Sequence, residues 1–374
     1  MGPEILRRGH LLGGVMAGNP ELGEQLRATR NEAALTQADM AKRTGYSVTH
    51  VTNMECGRRS IPDDVLLAYE EAHRERTDMR RRTVALGGAA MLIAPEAASR
   101  ILTRGFDALL GSTPDNDDWN EHLYRLGEDY MTSGASVVQS TLAADLSVLQ
   151  HAVDAPEMWA VVAKELVVFG KTTKGPADAI RWYRKAAVAA KRSGDRDTQI
   201  WVAGRAALAL GYEGAATPTA LTFARQAIEL SNGAPSAGLL NALMGYTHAL
   251  ATSGHHREAR EAWDETQRVY DAVSPTDEIT DFNYPWWRFA VVGSLLHARL
   301  GDPKAEQWQG EIAAHRPANM VRFETHAELH KALMIAKGGD KEGGLTYGKT
   351  ALEALPEDKR SQSLYLMLDE IRGV

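Results

Sequence analysis

The sequence predicts an all-α protein, and three observations lead to that fold class. Apolar residues recur at helical spacing along most of the 374-residue chain, and no stretch has the pattern of a convincing strand. The N-terminal stretch 36–60 has the pattern of two short helices with a sharp turn between them. From residue 118 onwards, helix-stopping turns return at similar intervals, which indicates a repeated unit.

The composition excludes several classes of protein. A single cysteine, Cys56, excludes a disulfide framework and is typical of a reducing cytoplasm. No apolar run reaches the ~18–20 residues that span a bilayer, so we expect a cytoplasmic location and no membrane partner. The formal net charge is −7, and residues 1–82 carry 13 Lys and Arg against 12 Asp and Glu. Contacts with nucleic acid are therefore expected to be local.

The stretch 36–60 contains signals that begin and end two short helices. Thr36 is a good N-cap for a helix over 37–44, and Gly45 follows where the chain must turn with a positive φ. Ser47 caps a second helix that runs to about Cys56, with short side chains on its outer face. Such a helix suits the DNA major groove, where base edges are read directly. The inward apolar positions are Met40, Ala41, Val51 and Met54.

Spaced positions in the same stretch fit one known pattern. The matching residues are Leu35, Thr36, Gln37, Met40, Ala41, Gly45, Ser47, Val51, Glu55 and Gly57. This pattern resembles the helix-turn-helix of phage-repressor/Cro-like (XRE-type) DNA-binding domains. The resemblance extends from about Leu22 to His73 and implies a five-helix domain that binds a double-stranded DNA operator. Members of this family often pair the residues equivalent to Arg30 and Glu55, so we expect an ion pair there.

The resemblance also implies which side chains meet DNA. The residues expected to face base edges are Val48, Thr49, Thr52 and Asn53. The residues expected to hold phosphates are Gln37, Ser47, His50, Arg58 and Arg59. The alternative is a helix-turn-helix that serves as a protein-interaction module, but the intact motif favours DNA.

The C-terminal part repeats a pair of helices. Turns at 193–195, 211–217, 253–255, 300–303 and 338–340 stop helices, and similar helices follow at 177–191, 218–230, 257–270 and 341–355. Aligning Ala179, Ala220, Ala259 and Ala305 gives steps of 41, 39 and 46 residues. The unit resembles a tetratricopeptide (TPR) repeat, although its steps exceed the ~34 residues of a regular one. We therefore expect a TPR-like α-solenoid in which the first helix of each pair lines a concave face.

A helix-turn-helix followed by TPR-like pairs resembles the peptide-pheromone-sensing regulators of Gram-positive bacteria. This resemblance is architectural, and it implies a homodimer with an effector, such as a signalling peptide or a small molecule, on the concave face. Arginine and asparagine among aromatic residues suit such a ligand, although tryptophans in these repeats are more often packing residues. The candidate effector contacts are Trp201, Arg205, Asn241, Tyr246, Trp287, Arg288, Arg322 and His326.

Metal and catalytic sites are not expected. His326 and His330 are four residues apart, so they could share one helix face and hold a metal ion. The order HAELH differs from HExxH and shows no third ligand, so we expect a solvated polar face and no metal. No phosphate-binding loop or nucleophile–base pair occurs, so we expect no cofactor and no enzymatic activity.

These observations divide the chain into four parts. They are a flexible arm (1–20), the XRE-type domain (21–77), a helical linker or dimerisation segment (78–117) and a TPR-like sensor and dimerisation domain (118–374). The linker contains Arg80 to Arg82 and an apolar segment that looks like a twin-arginine signal, but its internal position favours a helix between domains. We expect a sequence-specific transcription regulator of the quorum-sensing kind. The alternative is a DNA-binding adaptor whose repeats dock a partner protein, with no small ligand.

Overall fold

A computed structural model describes residues 19–32, 35–72, 116–152, 156–273 and 275–374. In these ranges the chain forms helices, turns and loops and no strand, so the all-α prediction is confirmed. The chain divides into two compact units, Met1–Leu92 and Ile93–Val374. The arm, apart from residues 19 and 20, and most of the predicted linker lie outside the described residues.

The N-terminal unit begins with α1 (Pro20–Glu32), α2 (Gln37–Thr44) and α3 (Val48–Glu55), and α4 starts at 63 with its described part running to 72. Thr36 caps α2 in a capping box with Asp39, and Ser47 caps α3 by accepting a bond from the His50 backbone N–H. Gly45 takes φ 72° between these helices. The predicted helix limits and caps are therefore confirmed. The fifth helix of the prediction falls outside the described residues.

A small apolar core holds these four helices together. Met40 and Val51 are fully buried, and Gly23 brings α1 against the end of α3. A Cβ on Gly23 would lie 2.7 Å from Met54 O, so a larger residue would force the helices apart. The buried apolar residues are Leu26, Met40, Ala41, Val51, Met54, Val65, Tyr69 and Ala72. The inward residues predicted for α2 and α3 are all among them.

The described part of the C-terminal unit is a series of helices joined by turns and loops. They are α5 (Asn116–Thr132), α6 (Ala135–Ala152), α7 (Pro156–Lys171), α8 (Pro176–Ser193), α9 (Arg196–Glu213), α10 (Thr217–Ser231), α11 (Ala237–Thr252), α12 (His256–Val273), α13 (Trp286–Leu300), α14 (Lys304–His315), α15 (Val321–Lys337), α16 (Lys341–Ala354) and α17 (Gln362–Gly373). None of the helices in the described ranges combines the length and apolar character needed to cross a bilayer.

From α7 onwards these helices pack as pairs. The first helices α7, α9, α11, α13 and α15 pack against each other in a row, and each is followed by its own second helix. The aligned alanines 179, 220, 259 and 305 all lie near the start of a second helix and are buried. Gly344 has the equivalent place in α16, where a Cβ would lie 2.6 Å from Ala332 O. A small residue at this position lets the two helices of a pair approach closely.

One connection between helices folds into the unit. Residues 275–285 join α12 to α13, and the backbone N–H of Asp281 donates to Gly127 O of α5 at 3.1 Å. Phe282 of the same loop stacks on Trp201, with 5.2 Å between ring centroids. Gly127 leaves the space that the Thr280 side chain fills. This loop accounts for the long step of 46 residues between Ala259 and Ala305.

Candidate DNA-contacting surface and a charged cavity

The carboxylate of Glu55 organises the helix-turn-helix from inside. It lies at the end of α3 with its side chain fully buried. Glu55 Oε1 accepts from Arg30 Nε at 2.7 Å and from the Tyr69 hydroxyl at 2.8 Å. Glu55 Oε2 accepts from an Arg30 terminal nitrogen at 3.1 Å and from Gln37 Nε2 at 2.8 Å. One carboxylate therefore ties α1, α2 and α4 to α3, and the predicted Arg30–Glu55 ion pair is confirmed.

The pKa shifts of Glu55 and Arg30 agree with this hydrogen-bond network. Burial by itself would raise the pKa of Glu55, but the hydrogen bonds from Arg30, Gln37 and Tyr69 lower it below its ordinary value. Glu55 in turn raises the pKa of Arg30. The carboxylate is thus ionised at neutral pH, and its charge fixes the position of α3.

The start of α3 presents its side chains outward. Ser47, Val48 and Thr49 are exposed, and Val48 retains 45% of its accessible surface. His50 is partly exposed and packs edge-on to Tyr46, with ring centroids 6.2 Å apart. These short side chains at the N-terminal end of a helix can enter a DNA groove without steric hindrance from the rest of the unit.

The residues predicted to hold phosphates divide into two groups. Arg58 and Arg59 are exposed in the turn after α3, where long cationic side chains can reach a phosphate backbone. Gln37 instead bonds within the unit, because its amide also accepts from the Thr52 hydroxyl at 3.0 Å. In this structure Gln37 joins Glu55 to the middle of α3. Thr52 and Asn53 are partly exposed on the same helix.

A second polar cluster lies in the C-terminal unit around Asp281. This carboxylate is fully buried and accepts from Lys171 Nζ at 2.6 Å, from Arg205 at 2.5 Å and from Arg288 at 2.8 Å. Burial by itself would raise the pKa of Asp281, but Arg205, Lys171 and Arg288 lower it well below its ordinary value. Burial and the two arginines lower the pKa of Lys171 well below the usual lysine value. One carboxylate thus accepts hydrogen bonds from three basic side chains.

These cations line a half-open cavity of about 110 Å³. Its walls come from α5, α7, α9, α13 and α15, together with the 275–285 loop and Ser363 of α17. Arg322 of α15 lies over the Tyr130 ring at 5.0 Å and donates to Tyr130 O at 2.9 Å. No carboxylate among the described residues pairs with this guanidinium. The charged and imidazole side chains that line it are Lys171, Arg205, Glu213, Arg288, Arg322 and His326.

Two polar atoms on the cavity wall lack hydrogen-bond partners among the described residues. They are Arg205 Nε, a donor, and Glu213 Oε2, an acceptor when ionised, and both atoms are buried. Burial raises the pKa of Glu213 to about 7, against a smaller opposing effect of Lys171. An unsatisfied buried polar group costs about 1–3 kcal/mol. A polar occupant of the cavity could recover part of that free energy.

The structure brings together half of the predicted effector contacts. Arg205, Arg288, Arg322 and His326 all line the cavity. Trp201, Asn241, Tyr246 and Trp287 do not line it. Trp201 is stacked on Phe282, Trp287 packs on Phe323, Tyr246 packs on the apolar core, and Asn241 donates to Ala237 O. The tryptophans are therefore packing residues here.

The expected solvated face at His326 and His330 is wrong. Both imidazoles are buried, and the Tyr212 hydroxyl lies 3.1 Å from His326 Nδ1 and 3.1 Å from His330 Nε2. Burial and Arg322 lower the pKa of His326 to about 3, so this ring is neutral. The prediction failed because α15 is a first helix, packed by α13 and α16.

One group of side chains with metal-ligand chemistry is not apparent from the sequence. His122 of α5, Asp145 of α6 and Glu165 of α7 are buried, and their ligand atoms lie within 4.8 Å of one another. Imidazole and carboxylate groups in this arrangement can hold a divalent cation. The same atoms also form a hydrogen-bonded pair, with His122 Nε2 2.7 Å from Asp145 Oδ2. Each residue comes from a different helix, so no spacing in the sequence indicates the group.

Comparison with known proteins identifies the N-terminal part. The family model described as a helix-turn-helix domain matches residues 21–82. No curated protein matches the chain significantly in sequence. A crystal structure of Bacillus thuringiensis PlcR in complex with the peptide PapR7 and DNA matches with 14% identity and a TM-score of 0.36, covering 68% of this chain and 95% of that one.

The geometry and the family match define the class of this protein. It is a DNA-binding protein with an N-terminal helix-turn-helix domain, as the sequence predicted. The matched residues contain α2, α3 and all of α1 except Pro20, and with them the Glu55 cluster and the exposed outer face of α3. Helix pairs follow this domain in the C-terminal unit.

Proposed function

We propose that this chain is a sequence-specific transcription regulator that reads an operator with α3. The observation that supports this most directly is the construction of α3: an exposed face of short side chains above a buried carboxylate bonded to three neighbouring helices. Val48, Thr49, Thr52 and Asn53 are the base-facing residues of this proposal, because they occupy the outer face. Ser47, His50, Arg58 and Arg59 hold phosphates and fix the register.

In this proposal Gln37 has a positioning role in addition to the phosphate contact that the sequence predicts. Its amide bonds to both Glu55 and Thr52, so it positions α3 and can turn one remaining amide hydrogen towards a phosphate. The chain acts as a homodimer, because the nearly balanced charge of residues 1–82 gives one copy little non-specific affinity. Two half-sites are then expected about one helical turn apart, ~34 Å.

The C-terminal unit is the regulatory part of the proposal. The cavity, with its aromatic and cationic lining, supports an effector-binding role more than a purely protein-docking role. We therefore place the effector between the first helices, against Arg205, Arg288, Arg322 and His326. The effector shifts the chain towards one conformation by binding it more tightly than the other. A regulator of this kind needs no catalytic activity and works in the cytoplasm, where bacterial DNA lies.

Selection of DNA from a random pool on the full chain tests the DNA-binding role. We expect a defined, two-fold symmetric site. Thr49→Ala should reduce discrimination at one base pair by about 1–3 kcal/mol. Arg58→Gln should weaken binding to all sequences and reduce the salt slope by about 1.

Arg268→Gln is the matched control for the second variant, because Arg268 is a highly exposed arginine of the C-terminal unit. It removes the same charge and should leave both affinity and salt slope unchanged. Selection that enriches no site, or a Thr49→Ala variant with unaltered preference at every position of the site, would contradict the assignment of α3.

A further inference from the structure

The cavity between α5, α7, α9, α13 and α15 has an excess of positive charge whether Lys171 and Glu213 are charged or neutral. Even with Lys171 neutral and Glu213 ionised, three arginines (Arg205, Arg288 and Arg322) face two carboxylates (Asp281 and Glu213). Protonation of Glu213 or of Lys171 increases the excess. A cavity with such walls attracts anions.

The arginines of the cavity differ in what they already bind. Arg205 and Arg288 are held by Asp281, and Arg288 also donates to Thr280 O at 2.9 Å and to Asn283 O at 2.6 Å. Arg322 has only the Tyr130 carbonyl and the Tyr130 and Phe323 rings as partners among the described residues. Its planar guanidinium can therefore donate two parallel hydrogen bonds to an oxyanion. This bidentate geometry suits carboxylate and phosphate groups.

The size of the cavity limits the occupant. A volume of about 110 Å³ is of the order of the engineered cavities that hold a benzene-sized molecule. The space fits one compact group rather than an extended chain. Arg205 Nε is a buried donor with no hydrogen-bond partner among the described residues, so it is free to donate to such a group.

We propose that the cavity binds a compact oxyanion, a carboxylate or a phosphate group, with Arg322 as its main ligand and Glu213 beside it. This rests on the proposed regulatory role of the C-terminal unit and names the chemistry of its effector. The carboxylate is that of a small organic acid or of the last residue of a peptide, and the remainder of a longer molecule extends through the open side. The phosphate is free or part of a small metabolite.

Binding is tested on the full chain by isothermal titration calorimetry and by thermal shift. The probes are inorganic phosphate, acetate, L-alanyl-L-alanine and the C-terminal amide of that dipeptide. We expect at least one of the three anions to bind and the amide not to bind. Phosphate binding alone identifies the phosphate source, acetate the organic acid, and the dipeptide without acetate the peptide terminus.

Two variants test whether the anion binds in this cavity or elsewhere on the chain. Arg322→Gln should weaken the binding probe about tenfold or more, because it removes a charge-assisted pair of hydrogen bonds. Arg181→Gln, at a highly exposed arginine of α8, removes the same charge outside the cavity and should change nothing. Tryptophan fluorescence melts show whether each variant is folded.

A second variant keeps the proposal testable if Arg322→Gln unfolds. Glu213→Gln removes the competing carboxylate and should tighten binding several-fold at about pH 8, where the wild-type carboxylate is ionised. The other titratable groups that line the cavity are Lys171, Arg205, Arg288, Arg322, His326, Tyr130, Tyr212 and Tyr284.

The proposal is overturned if no anion binds the wild type at millimolar concentration, or if Arg322→Gln binds the probe as well as Arg181→Gln does. Operator binding by the same preparation distinguishes failure of the anion site from failure of the proposed DNA-binding regulatory role. A chain that binds its operator but no anion refutes the cavity assignment alone. A chain that binds an anion but no DNA refutes the regulatory role and leaves the site standing.

Discussion

Replacing Glu55 with glutamine tests whether one buried carboxylate holds the DNA-reading helix in place. A glutamine side chain has the shape of glutamate but only one acceptor oxygen. Each carboxylate oxygen of Glu55 accepts one N–H of Arg30, at 2.7 and 3.1 Å. In either amide orientation an N–H of Arg30 therefore meets an N–H₂ group. The variant leaves a buried guanidinium without its countercharge.

The size of the effect follows from burial. The Arg30 and Glu55 side chains are 12% and 0% exposed, so little solvent screens the pair. Removing one partner of a buried ion pair costs about 3–5 kcal/mol. A unit of about 60 residues has a total stability of roughly 3–9 kcal/mol. Glu55→Gln should therefore remove about a third or more of the free energy of unfolding of the N-terminal unit.

Hydrogen–deuterium exchange on the full chain measures this free energy locally. Backbone amides of α2 and α3 should lose protection by about a hundredfold to a few thousandfold, and operator binding should weaken with them. All eight tryptophans lie after residue 118, so tryptophan fluorescence reports only on the C-terminal unit and should be unchanged. Glu71→Gln, at an exposed position of α4, is the control and should stay within about 0.5 kcal/mol of wild type.

The pH dependence of stability provides an independent test of the role of Glu55. Because the folded-state pKa of Glu55 is lowered, its stabilisation is present above the unfolded-state pKa of 4.5 and is lost as pH falls through the folded value. Protection of α3 should decrease below about pH 4.5 in wild type, and less so in Glu55→Gln. Unchanged protection of α2 and α3 in Glu55→Gln at neutral pH would refute the reasoning.

Three further predictions concern the C-terminal unit, each measured by urea unfolding followed by tryptophan fluorescence. Asp281→Asn leaves the buried guanidinium groups of Arg205 and Arg288 without their countercharge, so it should destabilise the unit by about 3–5 kcal/mol; a loss below about 1 kcal/mol would show that the cluster is not held by charge. The pKa of Glu213 is raised to about 7, so its contribution to stability is present below pH 4.5 and is lost as pH rises towards 7. Glu213→Gln should therefore stabilise the unliganded unit by about 1–3 kcal/mol above pH 7 and have a smaller effect below pH 4.5, and the opposite pH trend would contradict this. Gly245→Ala would place a Cβ against the backbone of Ala207 and should destabilise the unit by about 1–3 kcal/mol. Gly310→Ala, in open space within α14, should instead stabilise it by about 0.5–1 kcal/mol, and equal effects of the two changes would refute the packing argument.

The sequence by itself determined the features that depend on neighbouring residues. Helix capping by Thr36 and Ser47 and the turn at Gly45 are local, because their hydrogen bonds and φ angles involve residues close in the chain. The repeated helix pairs were also predictable, because a small residue must recur wherever two helices meet closely, as at Ala179 and Ala220. The Arg30–Glu55 pair was predictable only through a family pattern.

Only the tertiary structure decided which side chains share a site. The loop at 275–285 has no periodicity, so nothing local indicates that Asp281 enters the unit and collects Lys171, Arg205 and Arg288 from other helices. The long repeat step around this loop was the single signal available. His326 and His330 were misjudged for the same reason: helical spacing places them on one face, but burial depends on which helices cover it. Ion pairs and hydrogen bonds between elements distant in sequence depend on how the helices and the loop pack. The composition of the cavity site therefore followed from the packing and not from local sequence.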